Sequence, residues 1–182
     1  MRLTEYDYSS DGLYFVTICV YQKECCLGRV TETGVDLSEK GKLAQRYWQE
    51  IAIQFSHTFL GEFVIMPNHI HGIIGIDNHS RDMIYHISKN KSTSDYHNTT
   101  ARKGGITGQH NPMLSNHSLG KIIRWYKGRC TYEIKKQLQA PFQWQSGYYE
   151  HIIRNQQALI NIENYIISNP ANWHKDNNNP NP

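Results

Sequence analysis

Two histidines separated by one residue are the sharpest chemical feature of the sequence. They lie in the segment Pro67-Asn68-His69-Ile70-His71. Alternate side chains of a β-strand point to the same face, so a strand here would present both imidazoles side by side. Paired imidazoles of this kind can bind a metal ion, although the site then needs a third ligand from elsewhere in the chain. The alternative is that both are polar residues on the solvent-exposed face of an amphipathic strand.

A second pair of functional side chains, Tyr165 and Asn169, lies near the end of the chain. The two are four positions apart, so a helix would place them on one side. That side also carries Asn161 and lies away from the centre of the apolar stripe, which is formed by Leu159, Ile162 and Ile166. If Tyr165 reaches the histidines, Asn169 can supply the missing oxygen ligand one turn further on. The alternative is a half-exposed tyrosine that serves only packing.

The elements that must position these residues begin with four predicted strands. They are rich in β-branched and aromatic residues or alternate in polarity, and they cover residues 13–22, 59–66, 69–76 and 148–154. Met66-Pro67-Asn68 predicts a turn that joins the second and third strands into a hairpin, because proline cannot occupy a central ladder.

Three predicted helices complete the pattern. The first runs from Ser38 to about Phe55, the second begins after Ser118, and the third extends from Gln156 to Asn169, ahead of Pro170. The order β-α-β-β-α-β-α predicts an α+β fold. It is a ferredoxin-like split βαβ sandwich, with an antiparallel sheet and helices on one face, followed by a C-terminal helix that carries the tyrosine.

Composition favours one domain spanning residues 1–182, since 38% of the 182 residues are hydrophobic. A flexible insertion is predicted at 77–117, which is rich in Asn, His, Ser, Thr and Gly, and a disordered tail is predicted from 177. The four cysteines form no CxxC pair, and no apolar stretch approaches the ~18 residues of a membrane span. We therefore expect a reduced, cytoplasmic protein without a membrane partner. The net charge of +3 permits nucleic-acid binding but does not demonstrate it.

Four segments of the sequence, in order, resemble a known family. FVIMPNHIHGIIGI is similar to the HUH motif (His, hydrophobic, His) of single-tyrosine transposases, and SLGKIIRWYKGRCT resembles the helix that follows it in that family. FQWQSGYYEHIIRNQQALINIENYIISNP resembles the C-terminal block, and YDYSSDGLYFVTICVYQKE the first strand of the REP-associated branch. The chain is thereby identified as a member of the HUH single-tyrosine transposase superfamily, in its REP-associated branch. The resemblance covers most of the chain outside 77–117.

The resemblance implies a site and a reaction. His69 and His71 stand where the family holds Mg²⁺ or Mn²⁺, Tyr165 where it has its nucleophile, and Asn169 where it completes the metal site. It implies a transposase that cleaves and rejoins single-stranded DNA at hairpin-flanked sites through a 5′-phosphotyrosine. Family members work as monomers or as homodimers, so oligomeric state stays open. Residues predicted to contact DNA are Lys121, Arg124 and Lys127 on the basic face of the second helix, and Arg154 after the last strand. Glu150 and His151 match a block of the same branch, without a clear role.

Two other functions remain open from the residues themselves. A zinc-dependent hydrolase could use His69 and His71 with a further ligand, for which His57 and His151 are available. A DNA-hairpin-binding module that has lost catalysis is the other. A rolling-circle initiator or relaxase shares the HUH chemistry but usually has a longer chain or a third metal histidine.

Overall fold

The structure, a computed structural model, describes residues 6–78 and 117–180. The strands are β1 (Gly12–Cys19), β2 (Gly28–Thr31), β3 (Gly34–Leu37), β4 (Thr58–Ile65), β5 (His69–Ile76) and β6 (Tyr149–Ile153). The helices are α1 (Glu39–Gln49), α2 (Ile51–Gln54), α3 (Leu119–Leu138) and α4 (Gln156–Ser168), with short 3-10 turns at Tyr21–Lys23 and Trp173–Lys175. In these residues no helix is long and apolar enough to cross a membrane.

The central sheet has the strand order β4-β5-β1-β6, and every neighbouring pair is antiparallel. The strand β5 lies between β1 and β4, which is the arrangement of a split βαβ unit. The predicted α+β sandwich with an antiparallel sheet is therefore confirmed.

The sheet separates two hydrophobic clusters. The larger lies under α1 and α3 and includes Trp48, Tyr126, Ile70 and Ile74. The smaller joins Phe15, Ile73 and Ile153 of the sheet to Ile166 of α4. Successive residues of β5 thus pack into opposite clusters, as the alternation of a strand requires. The consequence for the site is that α1 and α3 share one face of the sheet, and α4 packs on the other.

The hairpin of β4 and β5 is closed at the predicted turn. The amide of Met66 donates to the carbonyl of His69 at 2.8 Å, and Pro67 occupies the turn, where no ladder amide is needed. Gly72 of β5 lies under the ring of Trp48, and a Cβ there would collide with that ring. Glycine at this position therefore lets α1 pack directly on the strand that carries both histidines.

A small hairpin of β2 and β3 was not predicted from the sequence. Each strand has only four residues, none of them fully buried, so neither shows a hydrophobic run or a clear alternation. Gly34 makes the turn at a φ of 132°, which favours glycine.

The predicted helices are found with small changes at their ends. Ser38 caps α1 by accepting from the amide of Gly41 at 3.1 Å. The helix predicted to run unbroken to Phe55 is divided at Glu50 into α1 and α2. Ser118 caps α3, and α4 ends at Ser168, two residues before Pro170.

The tail predicted to be disordered from 177 is described as far as residue 180. Its residues Asn177 and Asn178 contact earlier parts of the chain. The ammonium of Lys23 donates to the carbonyl of Asn177 at 2.8 Å, and the amide of Asn68 donates to the carbonyl of Asn178 at 2.7 Å. Of the insertion predicted at 77–117, only Asp77, Asn78 and His117 belong to the described residues; 79–116 lie outside them.

Candidate metal and nucleophile site

The two histidines of β5 face α4 and lie deep in the protein. His69 is 0% and His71 3% exposed, and their Nε2 atoms are 3.0 Å apart. The alternative that they are polar residues on a solvent-exposed face is therefore wrong, because α4 and the segment after it cover this face. Two nitrogen atoms converging in a buried position are the start of a metal site.

Each imidazole is oriented through its other nitrogen. The Nδ1 of His69 lies 2.9 Å from Oδ1 of Asn68, whose Nδ2 already donates to the carbonyls of Lys23 and Asn178. Because Oδ1 of Asn68 can only accept a hydrogen bond, Nδ1 of His69 carries the proton and Nε2 keeps its lone pair. The Nδ1 of His71 lies 2.8 Å from the hydroxyl of Thr17 on β1. Such partners fix the ring and its tautomer for metal binding.

Tyr165 of α4 reaches this pair. Its hydroxyl lies 3.1 Å from Nε2 of His71, and its ring packs edge-on against Phe15, which itself stacks on His71. The side chain is 45% exposed, so the hydroxyl is held at the histidines while the ring stays accessible. The tyrosine and the histidines therefore meet within a single chain.

Asn169, which caps the C-terminal end of α4 one turn after Tyr165, is buried. Its Nδ2 donates to Oδ2 of Asp176 at 3.3 Å, whereas its Oδ1 is buried without a hydrogen-bond partner among the described residues. An orphaned buried carbonyl oxygen is costly unless a ligand engages it. This oxygen fits the metal-ligand role predicted for Asn169.

Asp176 is a residue that the sequence analysis missed. Its carboxylate lies 3.6 Å from Nε2 of His69, and His69, His71 and Asp176 form a cluster whose ligand atoms are within 4.8 Å of one another. Two imidazole nitrogens, one carboxylate and one amide oxygen suit a divalent cation. The residue lies seven positions beyond Asn169 and returns to the site only because the chain folds back after Pro170, so spacing along a helix gave no signal for it.

The segment 170–180, which we call the C-terminal strap, is held in several places. Besides the bonds to Lys23 and Asn68, the carboxylate of Asp176 accepts from the amide of Asn178 at 2.6 Å. The ring of Trp173 lies 6.0 Å from that of His69. These contacts hold Asp176 against the site.

Burial controls the protonation of the site. Loss of solvent lowers the pKa of His69 from 6.5 to about 4, although the charge of Asp176 acts in the opposite direction. Burial, and then the charge of His69, lowers the pKa of His71 to about 2. Both rings are therefore neutral near pH 7 and available as ligands. Burial and the carboxylate of Asp176 raise the pKa of Tyr165, so its phenol holds its proton in the absence of a cation.

The basic residues predicted to contact DNA lie in two places, on α3 and directly after β6. Lys121 and Arg124 are exposed on α3, on the face of the sheet opposite Tyr165. The ammonium of Lys127 donates to the carbonyls of Gln145 and Gly147 at 2.6 and 2.8 Å, which ties it to a turn. Arg154 is exposed directly after β6.

The other candidate histidines lie outside the cluster. His57 stacks on His117 with ring centroids 4.3 Å apart, and His151 is exposed on β6. Tyr126 is fully buried and donates to the carbonyl of Ala44 at 3.0 Å, so it belongs to the core.

Comparison with known proteins gives a relative and a fold. No protein-family model matches the sequence. A protein of Haemophilus influenzae, described as uncharacterized, is 33% identical over 176 residues, which are 97% of this chain and 89% of that protein. Among solved structures, the REP-associated tyrosine transposase bound to a REP hairpin superposes with a TM-score of 0.57 at 14% identity, covering 95% of this chain and 74% of that one. The chain belongs to the same family as the Haemophilus influenzae protein and has the fold of the REP-associated tyrosine transposase.

Proposed function

We propose that the protein is a metal-dependent, single-stranded DNA transposase of the HUH single-tyrosine superfamily. In this proposal Tyr165 is the nucleophile, and the product is a 5′-phosphotyrosine at a hairpin-flanked site. One observation carries the proposal: the hydroxyl of Tyr165 lies 3.1 Å from Nε2 of His71, which itself lies 3.0 Å from Nε2 of His69. The ring packs on Phe15, but the hydroxyl is directed at a pair of buried, neutral imidazoles, which supports a chemical role in addition to packing.

The proposed substrate rests on the fold. The structural neighbour is bound to a REP hairpin, and the match covers 95% of the present chain. We assign hairpin DNA to this chain on that ground, with the exposed Lys121, Arg124 and Arg154 as candidates for phosphate contacts. Lys127, also predicted to contact DNA, already donates to two carbonyls. The REP-associated branch is part of the same proposal.

The residues that would hold the cation are His69, His71, Asn169 and Asp176. The orphaned Oδ1 of Asn169 and the two neutral Nε2 atoms fit such an ion, and the mixed nitrogen and oxygen set suits Mg²⁺ or Mn²⁺. When bound, a divalent ion there supplies stabilisation of the charge that develops on the scissile phosphate.

The chain's own groups perform the exchange. The phenol oxygen of Tyr165 bonds to phosphorus, and the phenolic proton is balanced by the proton that the departing 3′ oxygen takes up. The bond from phosphorus to the 3′ oxygen breaks, and that oxygen leaves as a 3′-hydroxyl. The reverse attack by a 3′-hydroxyl rejoins DNA, so the phosphodiester energy is conserved in the intermediate. Because tyrosine and histidines meet within one chain, a homodimer is not needed to complete the site, and dimerisation stays a prediction.

Covalent trapping tests the proposal. Purified protein is mixed with hairpin oligonucleotides taken from the DNA that flanks its own gene, with Mn²⁺ or with chelator, and run on a denaturing gel. We expect a slow-migrating adduct that requires metal and disappears in Tyr165→Phe. Tyr21→Phe is the matched control, since Tyr21 is 47% exposed and lies outside the site. Salt-sensitive DNA binding without any adduct would instead support the inactive hairpin-binding module.

One observation favours a second candidate, the zinc-dependent hydrolase. That candidate needs a third ligand besides His69 and His71, and Asp176 provides one, although His57 and His151 do not. The two candidates differ in their dependence on Tyr165. A zinc hydrolase would use a bound water and keep its activity in Tyr165→Phe, whereas the transposase would lose it.

A further inference from the structure

The edge strand β6 presents two side chains on the face that carries the proposed nucleophile. In the register with β1, Tyr149 lies opposite Thr17 and His151 lies opposite Phe15. Residues directly opposite in an antiparallel pair share a face of the sheet. Thr17 is bonded to His71, and Phe15 stacks on the same ring, so Tyr149 and His151 border the site from the edge.

A cleft runs along this strand. Its volume is about 450 Å³, within the ~300–1,000 Å³ of small-ligand sites. Its lining includes Tyr149, His151 and Arg154 of this strand and its end, and Asn155 and Ala158 at the start of α4. Tyr149 is 52% exposed, so its ring is accessible to a ligand, and the exposed guanidinium of Arg154 supplies a permanent positive charge at the end of the strand.

These features match the chemistry of single-stranded nucleic acid. Unpaired bases stack on exposed aromatic rings irrespective of sequence, and arginine pairs with the phosphate between them. Among the described residues β6 is the last strand of the sheet. An aromatic ring and a cation thus occur together on this strand, which is separated from the strand of His71 by β1.

We propose that the cleft along β6 binds one nucleotide of the single-stranded segment that adjoins the scissile phosphate. The base stacks on the ring of Tyr149, and the phosphate lies against Arg154. This subsite rests on the proposed function, since it names where the substrate of the same site is held.

A binding assay tests the subsite under conditions in which the DNA is not cleaved. In a Tyr165→Phe background, fluorescence anisotropy compares a hairpin oligonucleotide that has a single-stranded extension with the same hairpin lacking it. Tyr149→Ala is expected to weaken binding of the extended oligonucleotide about 5- to 100-fold and to leave the bare hairpin unchanged, whereas Tyr149→Trp restores affinity. Tyr132→Ala on α3, at a tyrosine of similar exposure (55%), is the matched control and should change nothing. Equal affinities of Tyr149→Ala and its parent for the extended oligonucleotide would overturn the proposal.

Photo-crosslinking locates the base directly. Extended oligonucleotides with 5-iodouracil at single positions are irradiated on the protein, and the crosslinked peptide is sequenced by mass spectrometry. We expect a crosslink at Tyr149 from one position of the extension; crosslinks that map only outside the cleft would contradict the assignment. Arg154→Gln should lower the affinity and reduce the salt dependence of binding by about one phosphate contact.

The two proposals fail separately. Extension-dependent binding through Tyr149 without any covalent adduct in the unmodified protein would overturn the transposase and support the subsite. Adduct formation that is insensitive to Tyr149→Ala at limiting DNA would overturn the subsite and support the transposase. A protein that binds neither oligonucleotide contradicts both.

Discussion

The hydroxyl of Thr17 gives the sharpest test of how the metal site is built. It lies 2.8 Å from Nδ1 of His71 and is buried, so Thr17→Val exchanges a hydroxyl for a methyl group of similar size and removes the ring's partner. A metal bound at Nε2 requires the proton of His71 to be on Nδ1, and in the variant that N–H is buried and unpaired. We expect this to weaken Mn²⁺ binding about 10- to 100-fold, the usual effect of losing an outer-shell partner.

The chain offers a matched control for this change. The hydroxyl of Thr58 donates to the carbonyl of Phe55 at 2.7 Å and is also buried, away from the site. Thr17→Val should lower the free energy of unfolding by about 1–3 kcal/mol, since it leaves the buried ring nitrogen without its partner, and Thr58→Val by about 0.5–1.5 kcal/mol, since the carbonyl of Phe55 still accepts from the amide of Thr58. Only Thr17→Val should change metal affinity, and Thr17→Ser should recover it.

The measurement is a titration with Mn²⁺ at pH 7.5, in which electron paramagnetic resonance detects the unbound ion and the bound fraction is obtained by difference. Urea titrations of each variant confirm that the protein is folded. A folded Thr17→Val protein that binds Mn²⁺ with the affinity of the unmodified chain would refute the orientation of His71 derived above.

Three further predictions concern charge, pH and packing. Asp176→Asn should weaken Mn²⁺ binding roughly tenfold or more in the same titration, while Asp36→Asn, in an exposed ion pair, should not. Because burial lowers the pKa of both His69 and His71 below 6.5, only the unfolded chain gains protons at these two rings as the pH falls from 6.5. The free energy of unfolding should therefore be highest above pH 7 and should fall by about 2 kcal/mol for each ring, about 4 kcal/mol in all, at pH 5 in urea titrations; in His71→Gln about half of this loss should disappear. Gly72→Ala should destabilise the fold by about 1–3 kcal/mol through collision with the Trp48 ring, whereas Gly128→Ala, in open space on α3, should stabilise it by about 0.5–1 kcal/mol in thermal unfolding.

Local periodicity explains what could be predicted. The alternation along 69–76 determined that His69 and His71 share a face, and the helical spacing placed Tyr165 and Asn169 on one side of α4. Both patterns depend only on neighbours in sequence, and the structure has both. The proline two residues before His69 also predicted a turn there, and therefore that the histidines lie at the end of the sheet.

Contacts between distant segments explain what could not be predicted. Asp176 reaches His69 because the C-terminal strap folds back and is held by Asn68 and Lys23, contacts that no periodicity encodes. The same limit applies to Lys127. Its sequence pattern indicated a free basic face, but carbonyls of a turn nearly twenty residues away occupy its ammonium.

The central claim is that Tyr165 is the residue that becomes covalently attached to DNA. The most direct measurement is mass spectrometry of the adduct formed by the unmodified protein with a flanking hairpin and Mn²⁺, after protease and nuclease digestion. The account predicts a residual nucleotide linked through phosphate to the peptide that contains Tyr165. A nucleotide on any other residue, or cleaved DNA with no protein-linked product, would contradict it.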